Sequence, residues 1–163
     1  MLLPAKTLGN ISVNVTDGTN VISGATVSLT ETITGTTDEN GDVSFEDVEF
    51  GDYTLTVEKT GYADYTDSLT VTGDAEVNVT LTEVGDLTIT VDDGADPAVA
   101  IEGASVVIGE TTKTTNASGE VEFNGLPYED VSVTISADGY TTATETLQFR
   151  SNHKSFTVSL TSV

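Results

Sequence analysis

The chain has no cysteine and no tryptophan, three prolines, one histidine and five Lys plus Arg among 163 residues. Each scarcity excludes something. Without Cys there is no disulfide, no thiolate metal site and no Cys nucleophile. Five basic residues face 27 acidic ones, for a formal net charge of −22. Binding of DNA or RNA by phosphate neutralisation needs clustered Lys and Arg, so nucleic acid is excluded as a partner. Anionic membrane surfaces are disfavoured on the same ground. No stretch approaches the ~20 apolar residues of a membrane span, so no membrane insertion is expected. The first residues, Met1-Leu2-Leu3-Pro4-Ala5-Lys6-Thr7, lack the charged segment and apolar run of a secretory signal. Taken as a complete protein, the chain is expected not to leave the cell by the usual route. Hydrolase signatures are missing as well: there is no Gly-x-Ser-x-Gly elbow, no His-Glu-x-x-His pair and no phosphate-cradling glycine loop. The expectation is a protein without enzymatic activity.

What is present is said twice. Gly9 to Thr82 and Gly85 to Thr161 pass through the same signals in the same order: an alternating strand, an Asp-Gly turn, a Gly-Ala pair, a Thr-rich segment and a Gly-Tyr step. That period suits one small domain and is too long for a solenoid unit. The expected division is an N-terminal arm over 1–8, a first domain over 9–83 and a second over 84–163. Ile11, Val13 and Val15 alternate with Ser12, Asn14 and Thr16, and Leu87, Ile89 and Val91 alternate with Thr88, Thr90 and Asp92. Period two with one apolar face is the pattern of a half-buried strand. Tyr53, Leu55 and Val57 repeat it, as do Val131, Val133 and Ile135, and the closing runs Val77–Leu81 and Phe156–Leu160. Thirty threonines supply β-branched residues suited to a pleated surface. Asn40-Gly41 and Ser118-Gly119 read as hairpin tips, and Asp17-Gly18 and Asp93-Gly94 as tight turns. About seven strands per half predict an all-β chain of two tandem β-sandwiches. The linker Glu83-Val84-Gly85 is so short that a semi-rigid pair is expected.

The run GNISVNVTDG…ISGATVSL…TTDENGDVSFEDVEFGDYTLTVEKTGY resembles the carboxypeptidase regulatory-like domain, a group related to transthyretin-like and collagen-adhesin B-type repeats. The second copy, GDLTITVDDG…IEGASVVI…TTNASGEVEFNGLPYEDVSVTISADGY, resembles it in the same places. The resemblance covers nearly everything after the first eight or so residues. It implies an Ig-like or prealbumin-like Greek-key sandwich in each half and carries over no catalytic residue. Collagen-adhesin B-type domains often hold a Lys–Asn crosslink, but the first strand of each half here has no inward Lys. Lys6, Lys59 and Lys113 lie elsewhere, and no crosslink is expected.

Several clusters invite a site. Asp38, Asn40 and Asp42 surround Gly41, and Asp92, Asp93 and Asp96 form a second acidic group. Both are weak calcium candidates, because carboxylates alone do not make the ordered ligand set of a calcium loop, and a solvated turn explains them equally. No other metal or cofactor is expected. His153 has no partner set for zinc or general-base chemistry. With Arg150 and Lys154 it gathers positive charge at one edge, either plain surface charge or a docking point for an acidic neighbour such as another copy. Asn10, Asn14, Asn78 and Asn116 open Asn-X-Ser/Thr triplets, which matter only on an exported chain. Tyr62 and Tyr140, each after a Gly, read as packing residues, with a sugar-stacking platform as the alternative.

Two functions fit. The first is a structural protein of a virus particle, a capsid decoration or turret protein of a tailed virus, with the acidity matching a salt-loving host. In that reading Met1, Leu2, Leu3 and Pro4 form an assembly arm, Pro4 keeping it out of helix and central strand, and the chain assembles as a homo-oligomer with other virion proteins. The alternative is an extracellular or cell-surface adhesin or carbohydrate-binding stalk module from a longer exported chain, with a host-surface glycan among its partners.

Overall fold

A computed structural model describes residues 7–151 and 154–163. The chain divides between Glu83 and Val84 into two compact units. The first contains β1 (Leu8–Thr16), β2 (Thr26–Ser28), β3 (Thr34–Thr36), β4 (Asp42–Glu49), β5 (Gly51–Glu58), β6 (Tyr65–Val71) and β7 (Ala75–Thr80). The second contains β8 (Val84–Asp92), β9 (Ser105–Ile108), β10 (Thr111–Thr114), β11 (Glu120–Pro127), β12 (Asp130–Ser136), β13 (Ala143–Gln148) and β14 (Lys154–Ser159). Seven strands stand in each half, and among the described residues no helix is long and apolar enough to cross a membrane.

In the first unit a three-stranded sheet, β4-β1-β7, faces a four-stranded sheet, β3-β2-β5-β6; the second repeats this as β11-β8-β14 and β10-β9-β12-β13. Period-two alternation places the inward residues as expected. Ile11, Val13 and Val15 of β1 meet Val27, Leu55 and Val57 of the opposite sheet in one core; Leu87, Ile89 and Val91 meet Val106, Val133 and Ile135 in the other. Burying each such side chain contributes roughly 1.5–3 kcal/mol, which two sandwiches of this size need in the absence of disulfides.

Only the β2–β3, β5–β6, β9–β10 and β12–β13 connections join neighbours within a sheet; the other connections inside each unit change sheets. This corrects the expectation of hairpin tips at Asn40-Gly41 and Ser118-Gly119. Those turns are corners that carry the chain from β3 to β4 and from β10 to β11, across the sandwich. Glycine is required there for a packing reason. Gly41 has φ +82° and Gly119 has φ +72°, and a Cβ on Gly41 would stand 2.6 Å from the Val15 carbonyl oxygen. The corner docks on β1 through Val15 N–H to Gly41 O at 2.8 Å, and Val91 N–H to Gly119 O repeats the bond. The Asp17 turn folds the chain back briefly, bridging Thr16 to Val21, before β2 joins the other sheet.

The first and last strands of each unit pair in parallel. β1 and β7 run side by side from Ile11↔Ala75 to Thr16↔Thr80, and β8 and β14 from Leu87↔Lys154 to Asp92↔Ser159, six pairs in each ladder. Leu81 N–H to Thr16 O and Leu160 N–H to Asp92 O, both 2.8 Å, extend them by one bond.

Candidate functional site

The first acidic cluster is a backbone-capping device. One Asp38 carboxylate oxygen accepts from Asn40 N–H at 2.8 Å and Asp42 N–H at 3.0 Å. These bonds hold the Asp38 carboxyl below its ordinary range, the Asp42 amide contributing most. At the matching corner the neutral amide of Asn116 accepts from Ser118 N–H at 2.9 Å and Glu120 N–H at 3.0 Å. A position that works equally with Asp and Asn is selected for its acceptor oxygen, and its charge is incidental. The Asp42 carboxylate accepts from the Asn14 side-chain amide at 2.7 Å, which ties β4 to β1. Asn40 adds a side-chain contact to Asp38 at 3.5 Å.

The second cluster behaves the same way. Asp92 accepts from Gly94 N–H at 3.0 Å and from the Ser159 hydroxyl at 2.5 Å. Asp93 accepts from Val99 N–H at 2.9 Å and Ala95 N–H at 3.1 Å, bonds that lower its pKa. Asp17, its counterpart in the first copy, accepts from Asn20 N–H at 2.6 Å and Thr19 N–H at 2.8 Å and is lowered likewise. Asp96 lies exposed in the loop before Pro97. Among the described residues no group of three or more His, Cys, Asp or Glu side chains converges as a metal site would require.

The basic residues are placed individually. Arg150 donates to Asp130 at 2.6 Å across an exposed edge, Lys154 sits over the Phe156 ring at 5.8 Å, and His153 lies outside the described residues. Lys113 Nζ donates to Glu122 O at 2.7 Å and lies 5.1 Å from the Phe123 ring centre. Lys59 Nζ donates to Ser23 O at 2.7 Å and Gly24 O at 3.2 Å. Lys6 and the arm Met1, Leu2, Leu3, Pro4 also lie outside the described residues.

Tyr62 and Tyr140 pack partly buried against their cores. Tyr62 donates its hydroxyl to Glu83 at 3.4 Å, and burial, then the charges of Glu83 and Asp17, push its phenol above the ordinary value. Of the triplet asparagines, Asn10 accepts from Asp47 N–H at 3.3 Å, while Asn14 and Asn116 are engaged as described.

One feature escaped the sequence. Among the described residues Thr37 and Thr115 are the buried polar ones, each 4 % exposed. The Thr37 hydroxyl accepts from Ala25 N–H at 2.9 Å and donates to Ile22 O at 2.6 Å; Thr115 does the same with Ala104 N–H and Ile101 O at the same distances. Each hydroxyl rivets the crossover that opens β2 or β9 to the corner that follows β3 or β10.

These features define a class: paired β-sandwiches whose polar groups serve turns and crossovers. The family model of the carboxypeptidase regulatory-like domain matches residues 10–82 and 86–161, and the chain belongs to that family through both halves. Among solved structures, the Bacillus anthracis TIE protein is 20% identical, the match covering 96% of this chain and 34% of that one, with a TM-score of 0.46. GBS52, the minor pilin of Streptococcus agalactiae, is 14% identical over 95% of this chain and 96% of that one, with a TM-score of 0.45. The shaft pilin SpaA of Lactobacillus rhamnosus GG is 15% identical over 96% and 98%, with a TM-score of 0.43. The chain thus spans about a third of the TIE protein's length. No curated protein matches the chain.

Proposed function

We propose that the chain is a non-enzymatic structural segment of a surface-displayed protein, in which two sandwiches in series act as spacers that bear tension. The observation that carries this reading is the parallel pairing of first and last strand in both units. In a parallel pair, the start of β1 and the end of β7 lie at opposite ends of the ladder. Pulling the two chain ends apart therefore slides β1 along β7 and loads every bond of the ladder at once. An antiparallel terminal pair would instead open one bond at a time. The same geometry in both copies makes each a shear-loaded unit, which suits a stalk. Support also comes from the turn-capping role of Asp38, Asp92 and Asp93, which commits those carboxylates to architecture.

Of the two readings the sequence allowed, the surface stalk is the better supported. The virus-particle reading drew on the acidity and on small tandem sandwiches without catalytic chemistry, with Met1–Pro4, outside the described residues, as its assembly arm, and nothing in the fold favours it over the stalk. Glycan binding through Tyr62 and Tyr140 is not part of the proposal, since both rings are engaged in packing. Labelling intact, unpermeabilised source cells with an antibody raised against the two units tests the display. Surface label is expected; label only after lysis would refute it.

A further inference from the structure

Each copy has a cleft beside the turn that opens its second strand, about 460 Å³ in the first and 560 Å³ in the second, and the first copy lays its own cation along the floor. Lys59 follows β5 and lays its ammonium on the carbonyls of Ser23 and Gly24, at 2.7 and 3.2 Å. It comes so close that a Cβ on Gly24 would stand 3.0 Å from Nζ. The second copy builds the same cradle. Gly103 N–H bonds to Thr115 O at 3.0 Å as Gly24 N–H bonds to Thr37 O at 2.9 Å. Tyr140 N–H bonds to Ala137 O at 3.1 Å as Tyr62 N–H bonds to Lys59 O at 3.0 Å. These bonds align Glu102 and Gly103 with Ser23 and Gly24, and Ala137 with Lys59.

Ala137 ends at Cβ and cannot reach the turn. Among the described residues no protein donor meets the Glu102 or Gly103 carbonyl, and nothing lies within 4 Å of where a Cβ on Gly103 would stand. The opening is a cleft of about 560 Å³ lined by Glu102, Gly103, Ser105, Ser136, Asp138 and Tyr140. The rim carries two carboxylates in each copy, Glu58 and Asp64 in the first and Glu102 and Asp138 in the second, so the acidic rim is kept while the ammonium between its carboxylates is removed.

We propose that the second unit binds a primary alkylammonium group in this cleft, the ammonium on the Glu102 and Gly103 carbonyls and the alkyl stem along Ala137, as Lys59 lies in the first unit. Hydrogen bonds from a charged donor to paired carbonyls are the stronger kind, and the acidic rim favours a cation. A primary ammonium fits better than a metal ion because carbonyls already hold Nζ at the twin position, while no three metal-ligating side chains converge here. The chemistry is shared by a free alkylamine and by a lysine on another chain. The inference is independent of the stalk reading.

The test is backbone amide NMR on the whole chain, titrated with n-butylamine, with Nα-acetyl-lysine methylamide, and with tetramethylammonium as a cation lacking N–H donors. Saturable shifts at Glu102, Gly103 and Ala104 are expected with both amines, with a Kd on the order of 10 mM for so small a contact, and none with tetramethylammonium. A response to butylamine but not to the lysine derivative would assign the site to free amines; the reverse would assign it to lysine on a chain. Ala137→Lys is expected to abolish the response by filling the cleft from within. Lys59→Ala is expected to create the same response at Ser23 and Gly24, which keeps the test decisive should the first variant not fold. No shift with either amine, equal shifts with tetramethylammonium, or no gain in Lys59→Ala would overturn the proposal.

Discussion

Replacing Thr37 by valine keeps the branched shape of the side chain and removes the hydroxyl that joins Ala25 N–H to Ile22 O inside the first sandwich. Ala25 is fully buried and Ile22 is 4 % exposed, so water cannot take the hydroxyl's place without opening the crossover. A buried backbone group left without its partner costs about 1–3 kcal/mol, and two are stranded here. The added methyl returns about 0.8 kcal/mol of burial. The expected net loss is about 2–4 kcal/mol, or a fall of roughly 10–25 °C in the Tm of a domain this small. Thr37→Ser keeps both bonds and is expected to lose only about 1 kcal/mol, the worth of its missing methyl. Calorimetry with hydrogen-exchange mass spectrometry reads the result, and the duplication supplies the control. Thr37→Val should weaken protection in the first unit, and Thr115→Val in the second, where the bonds are the same. A Thr37→Val protein within about 0.5 kcal/mol of the parent would refute the view that these hydroxyls rivet the crossovers.

Two further outcomes follow from comparing the copies. Asp47 has φ +54° at the irregularity in β4, and Gly125 has φ +69° at the matching place in β11. Asp47→Gly is expected to stabilise the first unit slightly despite the unfolded-state cost of Gly, and Gly125→Ala to destabilise the second by about 1 kcal/mol; urea denaturation checks both. Asp17, Asp38 and Asp93 have folded pKa values below the ordinary 3.8, because backbone N–H groups bond to their carboxylates. A lowered folded pKa means their contribution is fully present above about pH 4 and is lost as pH falls through the folded values. Carboxyl NMR titration should place all three midpoints below 3.8, and Asp38→Asn should remove that local acid sensitivity while leaving the turn closed at neutral pH, as Asn116 closes its own.

The strands were legible because alternation is a local signal: Ile11, Val13 and Val15 point inward whichever sheet they join. Sheet membership was not legible. Inward residues of both sheets face one core, so period two cannot say whether β4 returns beside β3 or crosses over, and Asn40-Gly41 carries the same local signal as a hairpin tip or as a corner. The acidic clusters left two readings open for a related reason: Asp38 and Asp93 place acceptor oxygens near their own backbone, and composition does not distinguish a cap from a ligand. Thr37 and Thr115 were invisible among thirty threonines, where only burial separates a rivet from surface filler. Asp47 carried no signal because Gly, the usual mark of a positive φ, occupies that place only in the second copy.

The most direct test of the central claim is single-molecule pulling on the intact chain, its lack of Cys allowing introduced cysteines to serve as unique handles. Handles at the two chain ends should give two unfolding events, each releasing roughly 250 Å of chain, at forces set by shear of the β1–β7 and β8–β14 ladders. Moving the far handle to Gly73→Cys, at the same end of the first ladder as the start of β1, should convert shear to peeling and lower that unit's unfolding force severalfold. Equal forces in the two geometries would contradict the account.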